Sequence, residues 1–376
     1  MANSLTGDWI EYLKRLRPAT GRIHPAAGAK RPAAPPSGSP YLTDLAAGAI
    51  GPFHPYGEWQ VRPYPHHPGL DELPGTWESH TLKLAPQRGE LIAQQLSYHL
   101  YVPHSAPREA MPVVVMLHGC RQSPEDFAGG TRMNAVAEDE GFMVAYPQQP
   151  LHRQPQRCWH WFDLAAGEGG REVVAVTALL DELAERPDVR ADRIYLAGMS
   201  AGAAMAAVVA LRHPEKVAAV GLHSGVVIGA ADSPRSGLHA MRAGSAAEPA
   251  WLLDAAGVTP GGPELPAIVL HGLEDDAVNP INGRLLARQF LAYNKLSEPA
   301  VLGNPPSLSA LPVGNYAEAR YGRWGRDLVR LVEIAGLGHA WSGGDEHFRY
   351  HSGVGPDASR LMWDFFSQHR RRSGWF

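Results

Sequence analysis

From about residue 80 onward the chain alternates short apolar runs with stretches of helical period. Residues 91–102 read as a strand, and 113–117 form a continuous apolar run of the kind that a parallel strand buried on both faces requires. Strand signals recur at 142–146, 193–197, 217–222, 267–270 and 329–334. Between them, apolar residues at helical spacing predict helices over 125–139, 172–185, 202–212, 283–293 and 356–370. Strand and helix alternating in this way predict an α/β fold, a mostly parallel sheet with helices on both faces and right-handed crossovers. Reactive residues in such sheets collect at the carboxyl ends of the strands.

Upstream the pattern is absent. Residues 18–75 are dense in Pro, Ala and Gly and carry neither period, so they offer too little apolar surface to offset the entropy of ordering them. Ahead of them Trp9, Ile10, Leu13 and Leu16 recur at helical spacing and predict one short amphipathic helix, in the plainer reading docked on its own domain. The expected division is therefore an N-terminal arm over 1–80, a short helix plus Pro/Ala-rich linker, and a chemistry-bearing domain over 81–376.

Composition changes this picture little. A chain of 376 residues with 44% hydrophobic and 19% charged residues can bury a large core. Its formal net charge of -4, with no long block of one sign, gives no support for nucleic acid or an anionic membrane surface as partner. No apolar stretch reaches the about 18 residues of a transmembrane helix. Residues 1–17 place Asp8, Glu11, Lys14 and Arg15 where a secretory signal needs its apolar core, so a cytoplasmic location is the expectation. Two cysteines, Cys120 and Cys158, allow at most one bridge between them and no disulfide framework.

The chemistry begins at Gly198-Met199-Ser200-Ala201-Gly202, a G-x-S-x-G. In a chain with 40 glycines the pattern alone is weak, and context makes it specific. The run 193–197 before it reads as a strand and the small residues of 201–210 after it as a helix, the strand-turn-helix of the nucleophile elbow in the α/β-hydrolase fold. A serine hydroxyl needs a base to take its proton and a carboxylate to orient that base, in the chain order Ser, acid, His. The loop after the strand at 267–270 carries Glu274, Asp275 and Asp276, and position alone does not choose among them. Beyond the strand at 329–334, Gly338-His339 stands in a glycine-rich loop at the same end of the sheet, which makes His339 the expected base. Ala201, following the nucleophile, supplies one oxyanion N–H, and Cys120, in the loop after 113–117, is the candidate for the second. Cys120 as nucleophile is disfavoured because it leaves the elbow serine without purpose. There is no P-loop, H-E-x-x-H or Cys-x-x-Cys, and the His66-His67 pair in Pro-rich sequence reads as solvated, so no metal or cofactor is expected.

These residues stand in segments that resemble the poly(3-hydroxybutyrate) depolymerase-type esterases. The matching stretches are Leu117-His-Gly-Cys-Arg-Gln122, Asp126-Phe-Ala-Gly-Gly-Thr-Arg-Met-Asn134, Tyr146-Pro-Gln148 and Cys158-Trp-His-Trp-Phe162. They continue through the elbow to Met205, His271-Gly272 leading to Val278-Asn-Pro280, and Gly338-His-Ala-Trp341, covering about residues 90–370. The resemblance implies Asp275 as the acid, a pairing of Cys120 with Cys158, and an apolar substrate cleft to which Trp159, Trp161 and Trp341 contribute. It also implies an acyl-enzyme esterase acting on short-chain hydroxyacid polyester or oligoester. The type without a signal peptide or a following polymer-binding domain makes a polyhydroxybutyrate granule surface a candidate partner. The alternatives are a feruloyl, acetyl or general short-chain carboxylesterase, and, from another class, a non-catalytic granule-associated protein.

Overall fold

A computed structural model of the chain describes residues 73–84, 94–104, 109–164, 167–296 and 313–371. The expected amphipathic helix and most of the expected arm lie outside the described residues. Among those described, nine strands form one sheet in the order β1-β2-β4-β3-β5-β6-β7-β9-β8. The six inner strands are parallel: β4 (Met143–Pro147), β3 (Met111–Leu117), β5 (Val189–Met199), β6 (Ala219–His223), β7 (Ala267–Gly272) and β9 (Arg326–Ile334). Antiparallel strands β1 (Thr76–Lys83) and β2 (Gln95–Val102) extend one edge, and β8 (Tyr316–Arg323) closes the other. The sheet thus begins at Thr76, ahead of the boundary expected at residue 80.

The uniform apolar runs are explained by two cores, one on each face. Val113, Val115 and Leu117 of β3 enter one cluster and Val114 and Met116 the other, as the period of two along a strand requires. Tyr195 and Ala197 of β5 face the opposite cluster to Ile194 and Leu196, and β7 divides in the same way. The first face is covered by α3 (Glu168–Glu185), α4 (Ala201–Arg212) and α7 (Ile281–Tyr293). Against the second lie α1 (Pro124–Thr131), α2 (Met133–Glu140) and α8 (Ala358–Phe366).

The helix expected over 125–139 is in fact two. Arg132 adopts a left-handed conformation, φ 56° and ψ 22°, ending α1 and opening α2. Just before it, Cβ atoms at Gly129 and Gly130 would lie 2.4 Å from the Phe348 ring and 2.2 Å from the His351 ring, so this glycine pair admits the 345–351 segment. That close approach, and the low helix propensity of glycine, override the helical period. Beyond the sequence expectations, the structure also has the half-exposed edge strands β1 and β8. Two short helices, α5 (Pro234–Ala243) and α6 (Pro249–Ala255), rise after β6, each with a proline in its first turn. No described helix is long and apolar enough to cross a membrane.

Candidate active site

Between β5 and α4 the chain turns in one residue. Ser200 takes φ 56° and ψ -121°, and its N–H donates to the His223 carbonyl at 2.9 Å. The flanking glycines follow from packing. A Cβ at Gly202 would stand 2.1 Å from the Leu117 carbonyl oxygen, and one at Gly198 would stand 2.6 Å from the Gly202 carbonyl carbon. Only glycine lets the first turn of α4 press against the end of β3, and that contact sets Ser200 at the carboxyl edge of the sheet.

His339 reaches this serine from the loop after β9: its Nε2 lies 3.0 Å from Ser200 Oγ and its Nδ1 2.8 Å from Asp275 Oδ2. The other carboxylate oxygen, Oδ1, accepts the Ala277 and Val278 N–H groups at 3.1 and 2.8 Å. His271 Nε2, 2.9 Å from the Val278 carbonyl, is also 3.3 Å from Asp275 Oδ2. Burial by itself raises the pKa of Asp275, but the neighbouring His339 imidazole and the hydrogen bonds from His271 and His339 hold the carboxyl well below the usual carboxylate range. Of the three acids in this loop Asp275 is buried and in contact with the histidine, while Glu274 and Asp276 are exposed.

The loop after β3 forms the facing wall. Cys120 is disulfide-bonded to Cys158, with Cα atoms 4.3 Å apart. His118 Nδ1 is 2.8 Å from the Gly119 carbonyl, and its Nε2 accepts the Gln149 N–H at 3.1 Å. Burial pushes its pKa down to about 4, so the ring is neutral and its tautomer is set by these partners. Beneath the bridge, Glu172 accepts from the His160 N–H at 2.6 Å, pairs with His160 Nδ1 at 2.7 Å, and accepts from the Gln149 side chain. Ala201 is the first residue of α4, where no carbonyl of the same helix can reach its N–H. Gly119, Cys120, Gln122, Met199, Ser200, His339 and Tyr350 line a small open cleft.

The three tryptophans expected to line a cleft do not reach it: Trp159 and Trp161 are 1% exposed and Trp341 0%. Trp159 donates to the His118 carbonyl at 3.1 Å, and Trp341 stacks on His223 and donates to Ser359 Oγ at 3.2 Å. Their indoles fill the core under the loops, each N–H of these two satisfied by the protein itself. The aromatic wall is Tyr350 instead, edge-on to the His339 ring at 6.2 Å, with a positive φ of 65° and a buried hydroxyl that meets no hydrogen-bond partner among the described residues. Nothing in the local pattern around 350 signalled it. Gln122 stood inside a matching motif without an expected role. Among the described residues no three His, Cys, Asp or Glu side chains group as a metal site.

The family model for esterase PHB depolymerases matches residues 96–301, more than half of the chain. Poly(3-hydroxyalkanoate) depolymerase C of Paucimonas lemoignei is 29% identical over 245 residues, which cover 64% of this chain and 57% of that protein. The probable acetylxylan esterase A of Aspergillus clavatus is 25% identical over 285 residues, 70% of this chain and 87% of that protein. Among solved structures, the acetyl xylan esterase from Aspergillus awamori superposes with a TM-score of 0.57 at 18% identity, covering 77% of this chain and 99% of that one, a likeness of fold. The matched stretch of the family model holds the elbow, the bridged loops and the buried acid, and by that extent of correspondence the chain belongs to the PHB depolymerase esterase family.

Proposed function

We propose that the protein is a serine esterase that cleaves short-chain hydroxyacid esters through an acyl-enzyme. The observation that carries this reading is the unbroken hydrogen-bonded series from Asp275 through His339 to Ser200 at a strained elbow. His339 Nε2 takes the Ser200 proton as Oγ attacks the ester carbonyl, and Asp275 steadies the imidazolium that forms. The Cys120 and Ala201 N–H groups meet the negative charge on the former carbonyl oxygen. His339 then returns the proton to the leaving alcohol, and water, activated by the same imidazole, releases the acid.

For the substrate, the family and the depolymerase relative support an ester of a 3-hydroxyacid. With the tryptophans buried, the cleft is small and walled by Met199 and Tyr350, which favours soluble oligomers over a packed polymer surface. A second reading, an acetyl ester of a sugar, is favoured by one observation: the match to the Aspergillus clavatus protein runs over 87% of that protein's length. The deciding measurement is a panel of 3-hydroxybutyrate trimer, amorphous polyhydroxybutyrate, acetylated xylan, methyl ferulate and p-nitrophenyl acetate. Fastest turnover on the trimer is expected. Turnover of acetylated xylan with none on any hydroxybutyrate ester moves the assignment to the second reading.

A further inference from the structure

Gln122 is 1% exposed, lines the cleft, and uses both ends of its carboxamide. Oε1 accepts the Gly119 N–H at 2.7 Å, and Nε2 donates to the Arg349 carbonyl at 3.3 Å. A third contact comes from its backbone, where the Gln122 N–H donates to the Gly119 carbonyl at 3.4 Å, on the same oxygen that His118 Nδ1 approaches at 2.8 Å. That carbonyl belongs to the peptide unit whose other end is the Cys120 N–H. In a trans peptide the two point in opposite directions, so fixing the carbonyl aims the N–H. The amide reaches Gly119 only because the position lacks a side chain: a Cβ there would sit 2.8 Å from Gln122 Oε1 and 3.6 Å from Ser200 Cβ. At its other end Gln122 grips the residue before Tyr350, whose positive φ a bulky aromatic seldom adopts unless its surroundings impose it.

We propose that Gln122 is a positioning residue: its carboxamide holds the Gly119 N–H, which fixes the peptide before Gly119 and steadies the following one, whose carbonyl the Gln122 backbone N–H and His118 hold, so that the Cys120 N–H meets the developing oxyanion; the same carboxamide ties that loop to the segment carrying Tyr350. This rests on the esterase reading above. Gln122 itself touches neither the attacking oxygen nor the proton in transfer. Its effect falls on the transition state, where the oxyanion exists, and hardly on the bound ester.

The test uses the full chain and p-nitrophenyl butyrate. Gln122→Met keeps the side-chain volume and removes both hydrogen bonds. It is expected to lower kcat by about tenfold to a hundredfold, less than the loss of an oxyanion donor outright, with KM changed under about threefold. Gln122→Glu adds a signature that general loosening of the fold does not produce. Protonated, the carboxyl accepts from Gly119 and donates to Arg349 as the amide does; ionised, it loses the donor and sets a negative charge beside the oxyanion. The activity of Gln122→Glu relative to wild type should therefore fall as pH rises from about 5.5 to about 8. A Gln122→Met kcat within twofold of wild type, a loss carried by KM alone, or a pH-independent ratio for Gln122→Glu overturns the proposal. A wild-type protein that hydrolyses no ester overturns the esterase reading and this one with it, whereas an active wild type with unaffected variants overturns this one alone.

Discussion

Ser200 holds a backbone conformation that costs a non-glycine residue about 1–3 kcal/mol, and the surrounding contacts impose it. Two substitutions separate chemistry from strain. Ser200→Ala should abolish ester hydrolysis and leave the thermal midpoint nearly unchanged. Ser200→Gly should abolish it too but raise the midpoint, because glycine takes this φ without penalty. Residual turnover above a few per cent in either clean variant counts against the proposed nucleophile. The acid loop gives a second contrast. Asp275→Asn offers an N–H to His339 Nδ1, forces the proton onto Nε2, and should cost up to about 10⁴ in kcat. Glu274→Gln and Asp276→Asn, both exposed, should stay within about twofold of wild type; a large loss at either locates the orienting acid elsewhere.

At the scale of elements, the site is a meeting of loops held by packing and one covalent tie. The Cys120–Cys158 bridge spans 38 residues, for which chain entropy gives about 4 kcal/mol of stabilisation. Reduction, or Cys158→Ser, should therefore lower the thermal midpoint and, by loosening the Cys120 peptide, kcat more than KM. Paired melting curves and kinetics with and without reductant read both, and an unchanged midpoint in the reduced protein contradicts the stabilising role. The contact between α4 and β3 is less forgiving. Gly202→Ala forces a Cβ to within 2.1 Å of the backbone oxygen of Leu117, so the elbow must shift or the protein must fail to fold.

For the whole molecule the buried histidines set the response to acid. Burial pushes His118, His351 and His369 down to about 4 and His223 to about 3, from 6.5 in the unfolded chain. Between about pH 6.5 and 4 the unfolded chain therefore binds protons that the folded one refuses, and each such group withdraws up to about 1.4 kcal/mol of stability per pH unit. His160 runs the other way. Burial lowers its pKa, but the hydrogen bond and charge of Glu172 leave it raised, so its contribution is complete below the unfolded value and is lost as pH rises through the folded one. Asp275, depressed in the folded state, gives its share above the ordinary carboxylate range and loses it only at lower pH. Burial lowers His213 as well, so five depressed histidines outweigh one raised among the described residues, and the urea midpoint should fall steadily from pH 7 to 4.5. A flat profile over that range contradicts the neutral buried state of these rings.

Much of this was legible in the sequence because it is written in local pattern. Parallel strands buried on both faces must be largely apolar, so β3, β7, the later part of β5 and the apolar positions of β9, between its buried Arg330 and Glu333, announced themselves, and with them the strand ends where Ser200, Asp275 and His339 stand. The edge strands β1 and β8 are half-exposed and lack that signature, and the glycine pair before Arg132 breaks a helix that the period alone would continue. Which of three adjacent acids faces His339 was open to residue-level reading; the resemblance pointed to Asp275, and burial and geometry then favoured it. The tryptophans show where pattern misleads. An aromatic in a strand-end loop can face the cleft or the core with equal local plausibility, and Trp159, Trp161 and Trp341 are buried. Tyr350 forms the wall in a segment held by the Trp341 N–H on its own carbonyl and by Gln122, more than two hundred residues away along the chain, on the Arg349 carbonyl. Local periodicity and spacing in the sequence determined the fold class and offered Ser200 and His339 as the expected nucleophile and base, with Asp275 added by the resemblance; tertiary structure alone decided what surrounds them, because burial and long-range hydrogen bonds exist only once distant segments meet.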